Sequence, residues 1–214
     1  LSWFMVNPYL GVYFSREKGF SYNEVGFLLG VAPLASLAFS IVGAKLADIL
    51  GEKQVLLLTY LVSAFCILSY GFLDNFYILL FMRIIFGGCW AIQNIVNKTL
   101  LTNSVDETLL TKIFSYEYWL FNIGGAIGPY IGVRLASNSI SLPLYVFVVT
   151  LIFLFIVFSY LFYKADLFRS SHGTINLPRN KTVKTQETSN KKNHILFIFI
   201  FIFIANFSGQ FIES

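Results

Sequence analysis

The sequence predicts an all-α fold, a polytopic transmembrane helical bundle, and three observations carry that prediction. Of the 214 residues, 57% are hydrophobic, 18% aromatic and only 12% charged, whereas an ordinary soluble domain carries about 25% charged residues. The charge is also unevenly spread: 164–193 holds seven basic and two acidic residues, and the rest of the chain is close to neutral. Long apolar runs recur between short polar breaks, and roughly 20 helical residues at about 1.5 Å each span a hydrocarbon core of about 30 Å. Together these exclude a soluble α/β enzyme, a nucleic-acid binder and a disordered chain.

The windows long enough to cross are 24–47, 53–72, 76–99, 112–136, 142–163 and 194–213, preceded by a shorter run at 1–14. The breaks at 15–23, 48–52, 74–75, 101–111 and 137–141 carry turn chemistry. The apolar runs are continuous and lack the alternation of a membrane barrel strand. Three regions follow: an amino-terminal bundle at 1–163, a cytoplasmic basic linker at 164–193, expected to be disordered, and the start of a second bundle at 194–214. The chain begins at Leu1 and stops inside an apolar run, so it is expected to be a piece of a longer one.

Lys and Arg set the expected orientation. With 15–23 facing out, the outer ends carry Arg16, Lys18 and Arg134, while eleven basic residues lie on the inner side. The bias is positive-inside and rests mainly on the 164–193 segment. A multi-pass protein of a bacterial plasma membrane is the expectation, with the basic linker touching anionic headgroups or acting as a plain tether. Cys66 and Cys89 lie in apolar stretches and are expected to be free thiols. The Asn-x-Ser/Thr triplets at Asn97, Asn180 and Asn206 fall on inner or buried positions and carry no glycosylation role.

Polar residues within the spans are the functional candidates. Arg83 sits among Phe81, Met82, Ile84, Ile85 and Phe86, where a charge costs about 2.5–3.5 kcal/mol on insertion scales. It is expected to face the interior, towards a carboxylate, a carbonyl or water, with Gly87 and Gly88 letting a neighbouring helix approach. Glu117 and Glu213 are the carboxylates within spans, suited to taking up and releasing protons. Gln93, Asn94, Asn97 and Asn122 are polar side chains at depth, candidates for the substrate cavity or for bridging helices. Gly26 and Gly30 form one small-residue pair expected to pack closely, and Gly124, Gly128 and Gly132 form a second, with Pro129 freeing the Gly125 carbonyl.

These residues resemble the amino-terminal half of a major facilitator superfamily transporter. The run from Ala44 to Lys53 is similar to that family's cytoplasmic signature, G-x-L-A-D-R-x-G-R-K, with Asp48, Gly51 and Lys53 matching and Ala44, Ile49 and Glu52 departing from it. Arg83 through Gly87 is similar to its R-x-x-q-G motif, whose Arg is associated with proton coupling. Gly124 through Gly132, with Pro129, resembles the g-x-x-x-G-P-x-x-G-G motif of proton-driven exporters, except that Val133 replaces the last Gly. Asn7 through Leu10 fits the family's first helix, and Phe207 through Ser214 resembles the seventh helix of the drug:proton antiporter-like branch.

The resemblance implies a twelve-helix protein, of which about six to seven helices are in this chain, with a central site between two halves. It further implies proton-coupled efflux of small lipophilic or amphipathic molecules by alternating access, with Arg83, Glu117 and Glu213 as coupling residues. An importer or uniporter of sugars, amino acids or peptides on the same fold is the alternative, and a non-transporting sensor or half protein is a further rival. Small-molecule substrate, protons and the lipid bilayer are the expected partners, as a monomer and with no nucleic acid. No cofactor and no metal is expected. Enzymatic chemistry is not expected either, since His172 and His194 border or lie in the linker and no HExxH pair is present.

Overall fold

The computed structural model describes residues 2–104 and 107–171. Within them the chain forms six helices and, among these described residues, no strand: α1 Ser2–Arg16, α2 Tyr22–Leu50, α3 Glu52–Phe72, α4 Phe76–Ser104, α5 Glu107–Ala136 and α6 Leu142–Ser171. Four are long and apolar enough to cross a membrane, over Tyr22–Gly43, Glu52–Phe72, Phe76–Thr102 and Leu142–Lys164. At 15 residues α1 is short. At 30 residues α5 has the length of a span but is more polar than the other four.

The connections are tight because each is built from residues that stop or start a helix. Ser21 caps α2 through a capping box: its hydroxyl accepts from the Glu24 amide at 3.4 Å, and the Glu24 carboxylate accepts from the Ser21 amide at 2.8 Å. Gly51 alone joins α2 to α3, at φ +88°, a backbone region that favours glycine. Asn75 opens α4 by accepting from the amides of Tyr77 and Ile78 at 3.0 and 3.2 Å. The last turn of α5 runs into α6 across 137–141.

Besides the expected 48–52 break, of which only Gly51 lies outside a helix, two boundaries differ from the sequence expectation. The break expected at 101–111 is largely helical, with α4 continuing to Ser104 and α5 beginning at Glu107. Likewise α6 runs on to Ser171, so the first residues of the expected linker are helical. The reason is the same in both places. Bilayer thickness sets how much of a helix must be apolar, not where its backbone hydrogen bonding stops, and neither stretch contains Pro or Gly to end it. The rest of the linker and the expected seventh span lie outside the described residues.

In the packed bundle α4 lies against α2 and α3, α3 against α6, and α1 against α5, α6 and α2. The main core draws on α1, α2, α3, α4 and α6, and an aromatic cluster within it joins α1, α4 and α6. Trp3 stacks on Trp90 with ring centroids 4.6 Å apart and on Phe86 at 5.6 Å, and Phe147 closes the cluster. Tyr60 of α3 stacks on Phe158 of α6 at 5.4 Å. No residue of α5 belongs to that core. Instead α5 meets α1 through a small-residue edge and one ring contact: a Cβ on Gly132 would collide with the Met5 carbonyl, one on Gly125 would only touch the Phe4 ring at 3.4 Å, and Phe121 packs edge-on against that ring at 5.0 Å.

Candidate functional site

Arg83 is carried on α4 at the seam with α2 and is 2% exposed. Its Nε donates to the Leu28 carbonyl of α2 at 2.9 Å, and its guanidinium carbon lies 5.9 Å from the centre of the Phe86 ring. Its Nη1 is buried with no hydrogen-bond partner among the described residues. The carbonyl partner was among the three foreseen for it. Which carbonyl it would be could not be read in advance, because every residue carries one and only the helix crossing selects Leu28.

The crossing is made possible one turn further along α4. Gly87 faces the α2 backbone so closely that a Cβ there would overlap the Ala32 carbonyl. A Cβ on Gly88 would come within 2.8 Å of the Phe39 ring, and Gly43 of α2 meets Ile92 at 2.7 Å in the same way. Thus α2 and α4 approach through glycines contributed by both helices. Gly26 and Gly30 do not take part, which corrects the sequence expectation. Both are exposed, and no described residue lies within 4 Å of a Cβ built on either. Their spacing matches a packing pair, but that spacing describes one face of a helix and not whether another helix covers it.

The remaining polar candidates separate by position. Gln93 is buried, and its Nε2 donates to the Ser63 hydroxyl of α3 at 2.9 Å, tying α4 to α3. Asn97 reaches the Tyr60 hydroxyl at 3.5 Å. Asn94 is partly buried on the same helix. Ser63 and Tyr60 were not singled out from the sequence. A serine inside an apolar span was the available signal, but short hydroxyls there often bond to their own helix, as Thr59 and Ser69 do.

On α5, Glu117 is 6% exposed and its Oε1 is buried without a hydrogen-bond partner among the described residues. Asn122 lies on the opposite, exposed half of the helix, where its Nδ2 donates to the Tyr118 carbonyl at 2.7 Å. Gly124, Gly128 and Gly132 are buried and Pro129 is partly buried within an unbroken helical assignment. Arg83 and Glu117 therefore sit on different helices, α4 and α5, and no bond joins their side chains. Glu213 lies outside the described residues.

The Asp48–Gly51–Lys53 group sits at the α2–α3 junction. Asp48 is exposed in the last turn of α2, the negative end of the helix, where a carboxylate is disfavoured. Gly51 closes α2 by donating to the Ala47 carbonyl at 3.0 Å and opens α3 by accepting from the Val55 amide at 3.2 Å. The Lys53 ammonium sits 5.6 Å from the centre of the Phe162 ring on α6, pinning α3 to α6. Cys66 and Cys89 are both free and buried.

Comparison with known proteins adds to this geometry. The family model of the Major Facilitator Superfamily matches residues 1–213. Among curated relatives, the chain is 28% identical over 136 residues to the uncharacterized MFS-type transporter YdeE of Escherichia coli (strain K12), covering 64% of this chain and 34% of that protein. It is 24% identical over 163 residues to the multidrug resistance protein MdtG of Proteus mirabilis (strain HI4320), covering 74% and 40%. It is 26% identical over 139 residues to the Na(+), Li(+), K(+)/H(+) antiporter of Planococcus maritimus, covering 63% and 32%. The chain thus matches about a third of the length of these relatives. With a family model spanning nearly every residue of a helical, apolar bundle, the chain belongs to the Major Facilitator Superfamily.

Proposed function

We propose that this chain is the amino-terminal part of a secondary active transporter that moves small lipophilic or amphipathic molecules out of the cell in exchange for protons. The observation that carries the reading is Arg83. A guanidinium in the apolar interior, held by one backbone bond to Leu28 and keeping Nη1 free of any described partner, is costly to place for packing alone. It is well suited to bias a nearby protonation equilibrium. Glu117 supplies a buried carboxylate with an unpartnered oxygen in the same bundle, and Glu213 is a second candidate. In this mechanism a carboxylate loads a proton from the outer side, Arg83 shifts its affinity, and inward proton release accompanies outward movement of substrate. The names of two relatives, a multidrug resistance protein and a cation/proton antiporter, support export with proton exchange.

The test reconstitutes the full-length protein in liposomes under an imposed pH gradient and follows efflux of a lipophilic dye. Arg83→Ala should lower gradient-driven transport at least tenfold, and Glu117→Gln should leave a residual flux that no longer responds to the gradient. Wild-type, gradient-dependent rates in Arg83→Ala would overturn the coupling role. Uptake in place of efflux in the same assay would favour an importer.

A further inference from the structure

Side-chain bonds across α3 and α4 set the register of the two helices, which run antiparallel from the 73–75 connection. Asn97 reaches Tyr60, and Gln93 donates to Ser63 at 2.9 Å. A step of three residues along α3 is therefore matched by a step of four back along α4. One further step on each helix brings Cys66 opposite Cys89. Both thiols are free and buried, Cys66 at 1% exposed and Cys89 at 8%. The two lie within charge–charge reach of one another, and the Cys89 thiol sits against the Ser63 hydroxyl. The Ser63 oxygen already accepts from Gln93, so its O–H remains to donate to that sulfur.

A facing pair of thiols is a ligand set of two. Among the described residues no group of three or more His, Cys, Asp and Glu comes together, so a closed zinc site, which takes four ligands, is not built here. Two sulfurs in apolar surroundings suit a soft d10 ion that accepts linear coordination, and thiolate is the donor that selects Cu(I).

A second observation concerns charge. Arg83 lies six residues before Cys89 on α4, about 9 Å along the axis, and Tyr70 lies one turn beyond Cys66 on α3. Tyr70 is within charge–charge reach of both Cys66 and the Arg83 guanidinium, so the thiols and the guanidinium share one stretch of the α3–α4 seam. The acceptor bonded to Arg83 is a neutral carbonyl, and its Nη1 and the Tyr70 hydroxyl are both buried without a hydrogen-bond partner among the described residues. A buried cation so placed gains from negative charge nearby. When two thiols take up a monovalent ion, both S–H bonds break, two metal–sulfur bonds form and two protons leave to solvent. The complex then carries one negative charge, the sign that the guanidinium lacks.

We propose that Cys66 and Cys89 form a two-thiolate site for the soft monovalent cation Cu(I), whose anionic complex is stabilised by Arg83. The bound ion joins α3 to α4 within their membrane-crossing segments, and Cys89, the more exposed sulfur, is the one an incoming ion meets first. The site does not depend on the transport reading, since occupancy is measurable without turnover.

The experiment uses the full-length protein in detergent, reduced and free of oxygen, with any cysteines other than Cys66 and Cys89 replaced by serine. Cu(I) is supplied as its bicinchoninate complex, whose colour falls as the protein removes the ion. One Cu(I) per chain should be withdrawn, and Cys66→Ala or Cys89→Ala should each weaken binding at least hundredfold. Full-strength binding in either variant, or none in the parent, overturns the site. Loading should raise the unfolding temperature of the parent and leave that of both variants unmoved. A hundredfold excess of Zn(II) should displace no Cu(I), and displacement would overturn the assignment to a two-coordinate soft ion. Arg83→Gln should weaken Cu(I) binding at least tenfold, and Arg83→Lys, which keeps the charge, should retain it. Hg(II), whose dithiolate is neutral, should bind Arg83→Gln within threefold of the parent in competition with a soluble dithiol, which also shows the thiol pair intact. Equal loss of both ions would overturn the electrostatic role of Arg83.

Discussion

A buried guanidinium and a missing side chain solve one problem between them at the α2–α4 seam. Arg83 needs an acceptor inside an apolar bundle, and a carbonyl already engaged in a helix can still accept through its second lone pair. That carbonyl comes within 2.9 Å of Nε only because Gly87 lets the α2 backbone lie against α4. Gly87→Ala should therefore push the helices apart and cost about 1–3 kcal/mol, seen as a lower unfolding temperature of the full-length protein in detergent. Gly125→Ala is the matched control. Its new Cβ would only touch the Phe4 ring at 3.4 Å, and alanine is the better helix former by about 0.5–1 kcal/mol, so its unfolding temperature should be unchanged or slightly raised.

Among the elements, the short connections do more than link spans. The Ser21 cap ties the first turn of α2 by side-chain bonds to Glu24, and Ser21→Ala should cost about 1 kcal/mol. The Gly51 junction has a stricter requirement, since at φ +88° any side chain is strained even though no described residue lies within 4 Å of a Cβ there. Gly51→Ala should cost about 1–3 kcal/mol by the same thermal measurement. A result near zero would mean the α2–α3 turn readily takes another shape. The contrast between α5 and its neighbours also belongs to this scale. Large side chains of α1, α3, α4 and α6 share the main core, whereas α5 is held at its margin by a glycine edge, the Phe121–Phe4 ring contact and the Ile113–Leu101 pair.

For the molecule as a whole, α4 packs on α2 and α3, α3 on α6, and α1 touches α2, α5 and α6 and brings Trp3 into the aromatic cluster. At the end of the bundle holding the α1–α2 turn, Lys18 donates to Asp74 at 2.7 Å and to the Gly71 carbonyl at 3.4 Å, joining that turn to the one between α3 and α4. Asp74 is 82% exposed, so water competes for the pair, and Asp74→Asn should change stability by less than about 1 kcal/mol. A larger loss in thermal unfolding would mean that Lys18 depends on the carboxylate to span the two turns.

What the amino-acid sequence determined alone is what a one-dimensional pattern can encode. Runs of apolar residues, five long enough for a bilayer and a shorter one at 1–14, located the six described helices, and Arg83 stood out because a charge there has no cheap environment. The tertiary structure decided what depends on a second helix. It selected Leu28 as the Arg83 acceptor, made Gly87 and Gly132 contact glycines while leaving Gly26 and Gly30 uncovered, paired Gln93 with Ser63, and put Asn122 on an open face and Glu117 on a closed one. Spacing along a chain fixes which residues share a face of a helix, but only packing determines whether that face meets another helix, lipid or water.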